Sequence, residues 1–251
     1  MFNTGLVSVS FRNLSTDEIL NRMNALGIKY IEWGGDIHAP VYDIENAENI
    51  RYKQEKLGIS CSSYGSYYKI GLDDPFTLPK QIATAITLKA DCMRVWCGNK
   101  NSENYDKNEK RILFSEAEKA AEIAMLNNKP ICLECHNKTY TNKLDSALEI
   151  MEYINSPFFR MYWQPNQFFT FEENCEYASK ISEYTTNIHV FNWEDKYRYK
   201  LSEAKDKWIE YLKYFDDDKV HNLLLEFMPD DNIDSLKEEY YTLQEIAAKF
   251  R

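Results

Sequence analysis

The sequence predicts an α/β fold of eight strand–helix units closed into a single (β/α)8 barrel, and three observations carry that expectation. The chain has 251 residues, enough for one large core. Apolar, β-rich runs alternate with helical patterns, which implies parallel strands joined by helical crossovers. Eight such units in about 250 residues match the size of this barrel. A doubly wound open sheet would usually carry a glycine-rich first turn, and the first strand here runs into SFRNLSTDE without glycines.

The units follow in order. LVSVSF (6–11) leads to a helix opened by Ser15, with Glu18 three positions on as a capping box. YIEWGG (30–35) leads through a loop into 44–57. ISCSSYG (59–65) precedes a helix that starts at Asp74-Pro75, a good cap and first-turn pair. CMRVWCG (92–98) is followed by a polar stretch, read as a solvated loop over 99–110, and a helix near 112–127. PICLECH (130–136) precedes 142–154, and FRMYWQP (159–165) precedes 171–183. NIHVFNW (187–193) precedes 202–214, and HNLLLEFM (221–228) precedes 233–250. No linker, low-complexity tract or repeat interrupts the alternation, so one domain over 1–251 is expected.

Hydrophobic residues make up 44% and charged residues 28%, a globular balance. No run of about 18 apolar residues exists, so no membrane partner is expected. The start, MFNTGLVSVSFRN, lacks the features of a signal peptide, and a cytoplasmic location is expected. A net charge of −10 opposes nucleic acid. Six cysteines at this length do not make a disulfide framework.

One motif invites a specific reading. Residues 132–136, CLECH, match the C-x-x-C-H pattern of covalent haem attachment. On an extended strand, however, Cys132, Glu134 and His136 share one face while Leu133 and Cys135 take the other. Two thiols on opposite faces cannot both bond one haem. Glu134 is the more informative residue, because a carboxylate directed into a barrel must be paired or metal-bound. An arginine such as Arg94 is one available partner. Later strand ends repeat the pattern. Tyr162 and Gln164 share a face, His189 sits among apolar neighbours, and Glu226 interrupts LLLEFMP. Glu, Gln, His and Glu from four successive strand ends, converging on one point, would suit Mn²⁺, Mg²⁺, Zn²⁺ or Co²⁺.

Taken in order, IEWGGDIHAP after strand two, LECHN, YWQPN, IHVFNW and LLLEF resemble the xylose-isomerase-like TIM barrels, the sugar phosphate isomerase/epimerase group, over nearly the whole chain. The resemblance implies one divalent metal ion, Mn²⁺ first, held by Glu134, Gln164, His189 and Glu226. Gln164 stands where an Asp is usual, which implies a weaker-binding but more strongly polarising site. Gln167 stands where sugar epimerases often carry a substrate-binding His. The implied activity is isomerisation or epimerisation of a sugar or polyol-derived keto compound through an enediolate. Glu134 and Glu226 would act as acid and base through their second oxygens. A dehydratase of the inosose-dehydratase type is a close variant. A metal-free barrel that binds carbohydrate without catalysis is the alternative.

The expected substrate contacts are His38, Trp96, His136, Trp163, Trp193 and Arg198. Glu32 reads either as a partner that supports a site residue or as an interior salt bridge, with the salt bridge preferred, and His221 reads as structural. The substrate is expected to be unphosphorylated, since no glycine-rich turn follows strand seven or eight. Relatives are often dimers or tetramers, so a homo-oligomer is among the expectations.

Overall fold

The computed structural model describes residues 1–216 and 218–250. Eight parallel strands close a barrel: β1 (Phe2–Val7), β2 (Tyr30–Gly34), β3 (Ser60–Ile70), β4 (Cys92–Cys97), β5 (Ile131–Glu134), β6 (Phe159–Trp163), β7 (Thr185–Val190) and β10 (His221–Leu225). Each pairs with its neighbours in chain order, and β1 closes on β10 from Phe2↔His221 to Leu6↔Leu225. The short strands β8 (Trp193–Glu194) and β9 (Tyr197–Arg198) form an antiparallel hairpin outside the barrel. The helices are α1 (Thr16–Leu26), α2 (Ile44–Lys56), α3 (Leu78–Thr87), α4 (Lys107–Leu126), α5 (Leu144–Ile154), α6 (Phe171–Ile181), α7 (Lys205–Leu212) and α8 (Leu236–Ala247). Among the described residues, no helix is long and apolar enough to cross a membrane.

Two boundaries depart from the sequence reading. The first strand is Phe2–Val7 rather than 6–11, and Ser8–Phe11 is a 3-10 turn. LVSVSF has strand propensity throughout. The ladder to β10 takes Phe2–Leu6, however, and the two serines then serve other backbones: Ser8 Oγ accepts from Gly34 N, and Ser10 Oγ from Phe227 N. Helix α4 starts at Lys107, not near 112, because Asp106 and Glu109 form a capping box inside the stretch expected to be loop. The Ser15–Glu18 box forms as expected.

Strand alternation sorts the side chains. Met93, Val95, Leu133, Met161, Trp163 and Ile188 face outward into the core shared with the helices. Inside lies a small apolar plug of Val7, Val9, Cys92, Cys132, Tyr162 and Leu224. Alongside it is an unusual set of buried polar groups: Glu32, Ser63, Arg94, Asn187 and His189. Barrel interiors are normally filled by branched aliphatic residues. This chain has filled much of its interior with a hydrogen-bonded network, and that network carries the site.

Candidate metal centre and active site

Glu134 ends β5, Gln164 follows β6, His189 lies one residue before the end of β7, and Glu226 follows β10. All four therefore reach the same level at the C-terminal mouth. They converge on one atom. His189 Nδ1 lies 3.1 Å from Gln164 Oε1, 3.4 Å from Glu134 Oε1 and 3.5 Å from Glu226 Oε2. Ligand atoms at roughly 2.1 Å from one ion stand about 3.0–3.5 Å apart at right-angled or tetrahedral corners. The spacing from the imidazole to each oxygen thus fits a shared cation. Glu134, His189 and Glu226 offer one donor each within 4.8 Å of one another.

Beneath the cup, Arg94 links two carboxylates. Its Nε donates to Glu32 Oε1 (2.9 Å) and its Nη1 to Glu134 Oε2 (2.5 Å). Glu32 is fully buried and also accepts from Ser63 Oγ (2.9 Å) and Tyr162 OH (2.6 Å). It faces His189 Nε2 at 3.4 Å. Asn187 donates to the Tyr162 hydroxyl, and Asn222 in turn donates to Asn187. Gly65 makes room for this pair of charges: a Cβ there would stand 2.7 Å from Arg94 Nη2 and 2.8 Å from Glu32 Oε1. Glu32 is thus the interior salt bridge expected of it, and it orients the imidazole as well.

Burial alone would raise the pKa of Glu32, but Arg94, His189 and Tyr162 outweigh it and hold the group at about 2. Glu134 is likewise held well below the carboxylate range, chiefly by Arg94 and His189 against the cost of burial. Burial would lower His189, yet Glu226 and Glu32 raise it to about 10, so without a cation the imidazole is doubly protonated. Glu226 moves the other way. Its burial, and the nearby charge of Glu134, push it above the usual value. The two glutamates of the cup are therefore not equivalent.

Their second oxygens differ too, although both residues were expected to act as acid and base. Glu134 Oε2 accepts from Arg94 and from the Trp96 indole N–H. Neither donor gives up its proton, so only Oε1 of Glu134 is open. Glu226 has no comparable clamp; among the described residues, His189 is the cationic side chain within salt-bridge distance.

Above the cup lies a cavity of about 450 Å³, within the range of small-molecule sites. Trp96, His136 and Trp193, three of the residues expected to contact substrate, line it, and His136 stacks on Trp96 with centroids 5.3 Å apart. Gln167 is on its wall as well. Three expected contacts are placed elsewhere. His38 is buried beside the mouth, with its ring nitrogens taken by Ser8 Oγ (3.0 Å) and the Leu14 carbonyl (3.1 Å). Trp163 alternates with Tyr162 and Gln164, so it points outward onto Trp208, Tyr211 and Phe215. Arg198 lies over the rings of Trp193 and Phe227 and pairs with Asp231. His221 is buried at the start of β10, as expected of a structural residue.

Sequence reasoning missed Tyr67 and Phe227, which also line the cavity. Both are bulky residues in the left-handed region, at φ +59° and +58°. Such a conformation costs about 1–3 kcal/mol and is held only where its surroundings enforce it. Tyr67 sits where the β3–β4 register slips between Gly65 and Lys69. Phe227 is held by Ser10. Nothing in SYYKI or EFMP signals either feature.

The family model for xylose isomerase-like TIM barrels matches residues 20–200. No curated protein sequence matches the chain significantly. Among solved structures, the probable 3-DHS dehydratase AsbF of Bacillus anthracis superposes with a TM-score of 0.80 at 19% identity, covering 97% of this chain and 99% of that one. D-psicose 3-epimerase of Clostridium cellulolyticum H10 gives 0.72 at 12% identity, over 99% of each chain. An L-ribulose 3-epimerase gives 0.75 at 14%, over 100% of this chain and 96% of the other.

Proposed function

Because this chain belongs to the xylose isomerase-like TIM barrel family, we propose that it is a divalent-metal-dependent isomerase or epimerase acting on a sugar or polyol-derived keto compound. The observation that carries this reading is the meeting of Gln164, Glu134 and Glu226 around His189 Nδ1. Buried carboxylates gathered on one point at a barrel mouth serve little purpose unless a cation joins them. The two carboxylates balance an M²⁺ charge, and Gln164 adds an oxygen without charge; Mn²⁺ is the first choice of ion. A cation bound there would polarise a carbonyl and stabilise the negative charge that enolisation places on its oxygen.

The chain's own residues divide the remaining work. Glu32 holds the Nε2 side of His189, which leaves Nδ1 for the cup. Arg94 and Trp96 fix Glu134 in one orientation. Glu226, which among the described residues has no cationic partner besides His189, would take a proton from the carbon beside the carbonyl and deliver it to the former carbonyl carbon, the net change of an isomerisation. This asymmetry gives weight to a second reading, dehydration, in which one carboxylate removes a proton from the carbon beside the carbonyl and passes it to the hydroxyl on the next carbon, which leaves as water. It weighs against inversion by a matched pair of glutamates.

The test is elemental analysis of protein purified without chelator and then reconstituted with Mn²⁺. About one bound ion per chain, lost in Glu134→Gln and Glu226→Gln, is expected. A wild-type protein that takes up no divalent ion would overturn this reading and favour the metal-free carbohydrate binder instead.

A further inference from the structure

A run of carboxamides crosses the barrel wall below the cup. Asn3 on β1, Asn222 on β10, Asn187 on β7 and Tyr162 on β6 occupy register-matched positions on four neighbouring strands. Their side chains bond in series. Asn3 Nδ2 donates to Asn222 Oδ1 (3.1 Å), Asn222 Nδ2 to Asn187 Oδ1 (2.8 Å) and Asn187 Nδ2 to the Tyr162 hydroxyl (2.9 Å). Tyr162 OH then donates to Glu32 Oε2 (2.6 Å), the oxygen that faces His189 Nε2. Asn3 is half-buried, and every later member of the run is buried.

The sense of the run is set from its far end. Glu32 is ion-paired with Arg94, and a carboxylate only accepts. The hydroxyl of Tyr162 spends its proton there, so its oxygen accepts from Asn187. That turns Asn187 Nδ2 towards the tyrosine and its Oδ1 towards Asn222, and the same requirement passes on to Asn3. Every donor thus points towards one anion, and aligned hydrogen bonds strengthen one another. Two buried carboxamides where branched aliphatic residues are usual bring nothing to packing. They do bring orientation. Arg94 takes Glu32 Oε1, so Oε2 is placed by Tyr162 and Ser63, and Tyr162 also packs its ring on His189 with centroids 4.7 Å apart.

We infer that Asn187 and Asn222 are positioning residues for the cation cup, acting through Tyr162 and Glu32 to hold the His189 imidazole with Nδ1 turned to Gln164, Glu134 and Glu226. This rests on the metal-dependent reading above. The cup's grip on its ion is then set partly from strand positions below it, by residues one and two links beyond Tyr162.

Mn²⁺ titrated into chelator-treated protein tests this. Tyr162→Phe and Asn187→Leu are each expected to lower Mn²⁺ affinity at least about tenfold, and Asn222→Leu by less. Leu223→Ala is the control: Leu223 neighbours Asn222 on β10 but faces the outer core, so this variant should melt lower and keep the wild-type affinity. The double variant Tyr162→Phe/Asn187→Leu should bind within about twofold of Tyr162→Phe alone, because the amide has lost the hydroxyl it acts through. With Co²⁺ in the cup, the visible absorption band should shift in Tyr162→Phe and not in Leu223→Ala. Should Asn187→Leu fail to fold, Asn222→Leu runs the same cycle with Tyr162→Phe. Affinities unchanged in Tyr162→Phe and in the asparagine variants, losses that add in the double variant, or an equal loss in Leu223→Ala would overturn the inference while leaving the metal site intact. Failure of the wild-type protein to load Mn²⁺ at all would overturn the functional reading beneath it.

Discussion

His38 and His189 are both buried at the barrel mouth, one after β2 and one on β7, yet they are opposite cases. His38 meets a hydroxyl and a carbonyl, and burial is the largest influence on it, so its pKa falls. His189 is more deeply buried but faces three carboxylates, and its pKa rises to about 10. Burial does not by itself make a histidine functional. The charge of what surrounds it decides whether the ring is a packed spacer or one corner of a proposed cation site.

The sharpest way to break this comparison is to remove each ring in turn. His189→Ala is expected to lower metal affinity at least about a hundredfold, in line with loss of one ligand and of its oriented partners. His38→Ala is expected to leave stoichiometric metal in place and to lower only stability. Elemental analysis and a thermal melt of both variants check this. Metal lost equally from both would erase the distinction.

Gln164→Asp sharpens it next. Adding a third carboxylate beside His189 is expected to tighten Mn²⁺ binding by on the order of tenfold. The same change weakens the positive charge available to a substrate oxygen, so turnover should fall as affinity rises. Unchanged affinity in a metal titration would mean that Gln164 is not part of the cup.

The smallest effect is in pH. In chelator-treated protein, His189 has a folded pKa above its ordinary value of 6.5. Its contribution to stability is therefore full below pH 6.5 and fades as pH rises towards 10. His38 is shifted down from the same value, so its contribution has the opposite sign and is lost as pH falls below 6.5. The melting temperature of the metal-free protein is expected to drop by several degrees between pH 7 and pH 9.5, at roughly 2–4 °C per kcal/mol for a chain of this size. His189→Gln should flatten that slope. A wild-type curve already flat over this range would contradict the charged imidazole.

Much of the fold could be read in advance because it rests on period. Outward apolar positions alternate with inward ones along strands such as β5 and β6, and Ser15–Glu18 marks a helix start by side-chain chemistry alone. The four cup residues were legible for the same reason, since polar groups at matching strand ends stand out in apolar runs. His38, Trp163 and Arg198 were misplaced because residue type near a strand end does not say which way a side chain points or what already occupies it. Trp163 shows this most simply: it lies between two inward residues, and the pleat sends it out.

The amino-acid order alone fixes the eight-unit succession, the inward face shared by the four cup residues and the donor types available for a cation. These follow from local periodicity and from the cost of burying charge. The tertiary structure alone set that Arg94 and Trp96 take one oxygen of Glu134, that Glu226 has His189 as its cationic partner among the described residues, and that Tyr67 and Phe227 stand on strained backbone at the cavity. Those outcomes depend on contacts between residues tens of positions apart, set by how the barrel closes, and no local pattern encodes them.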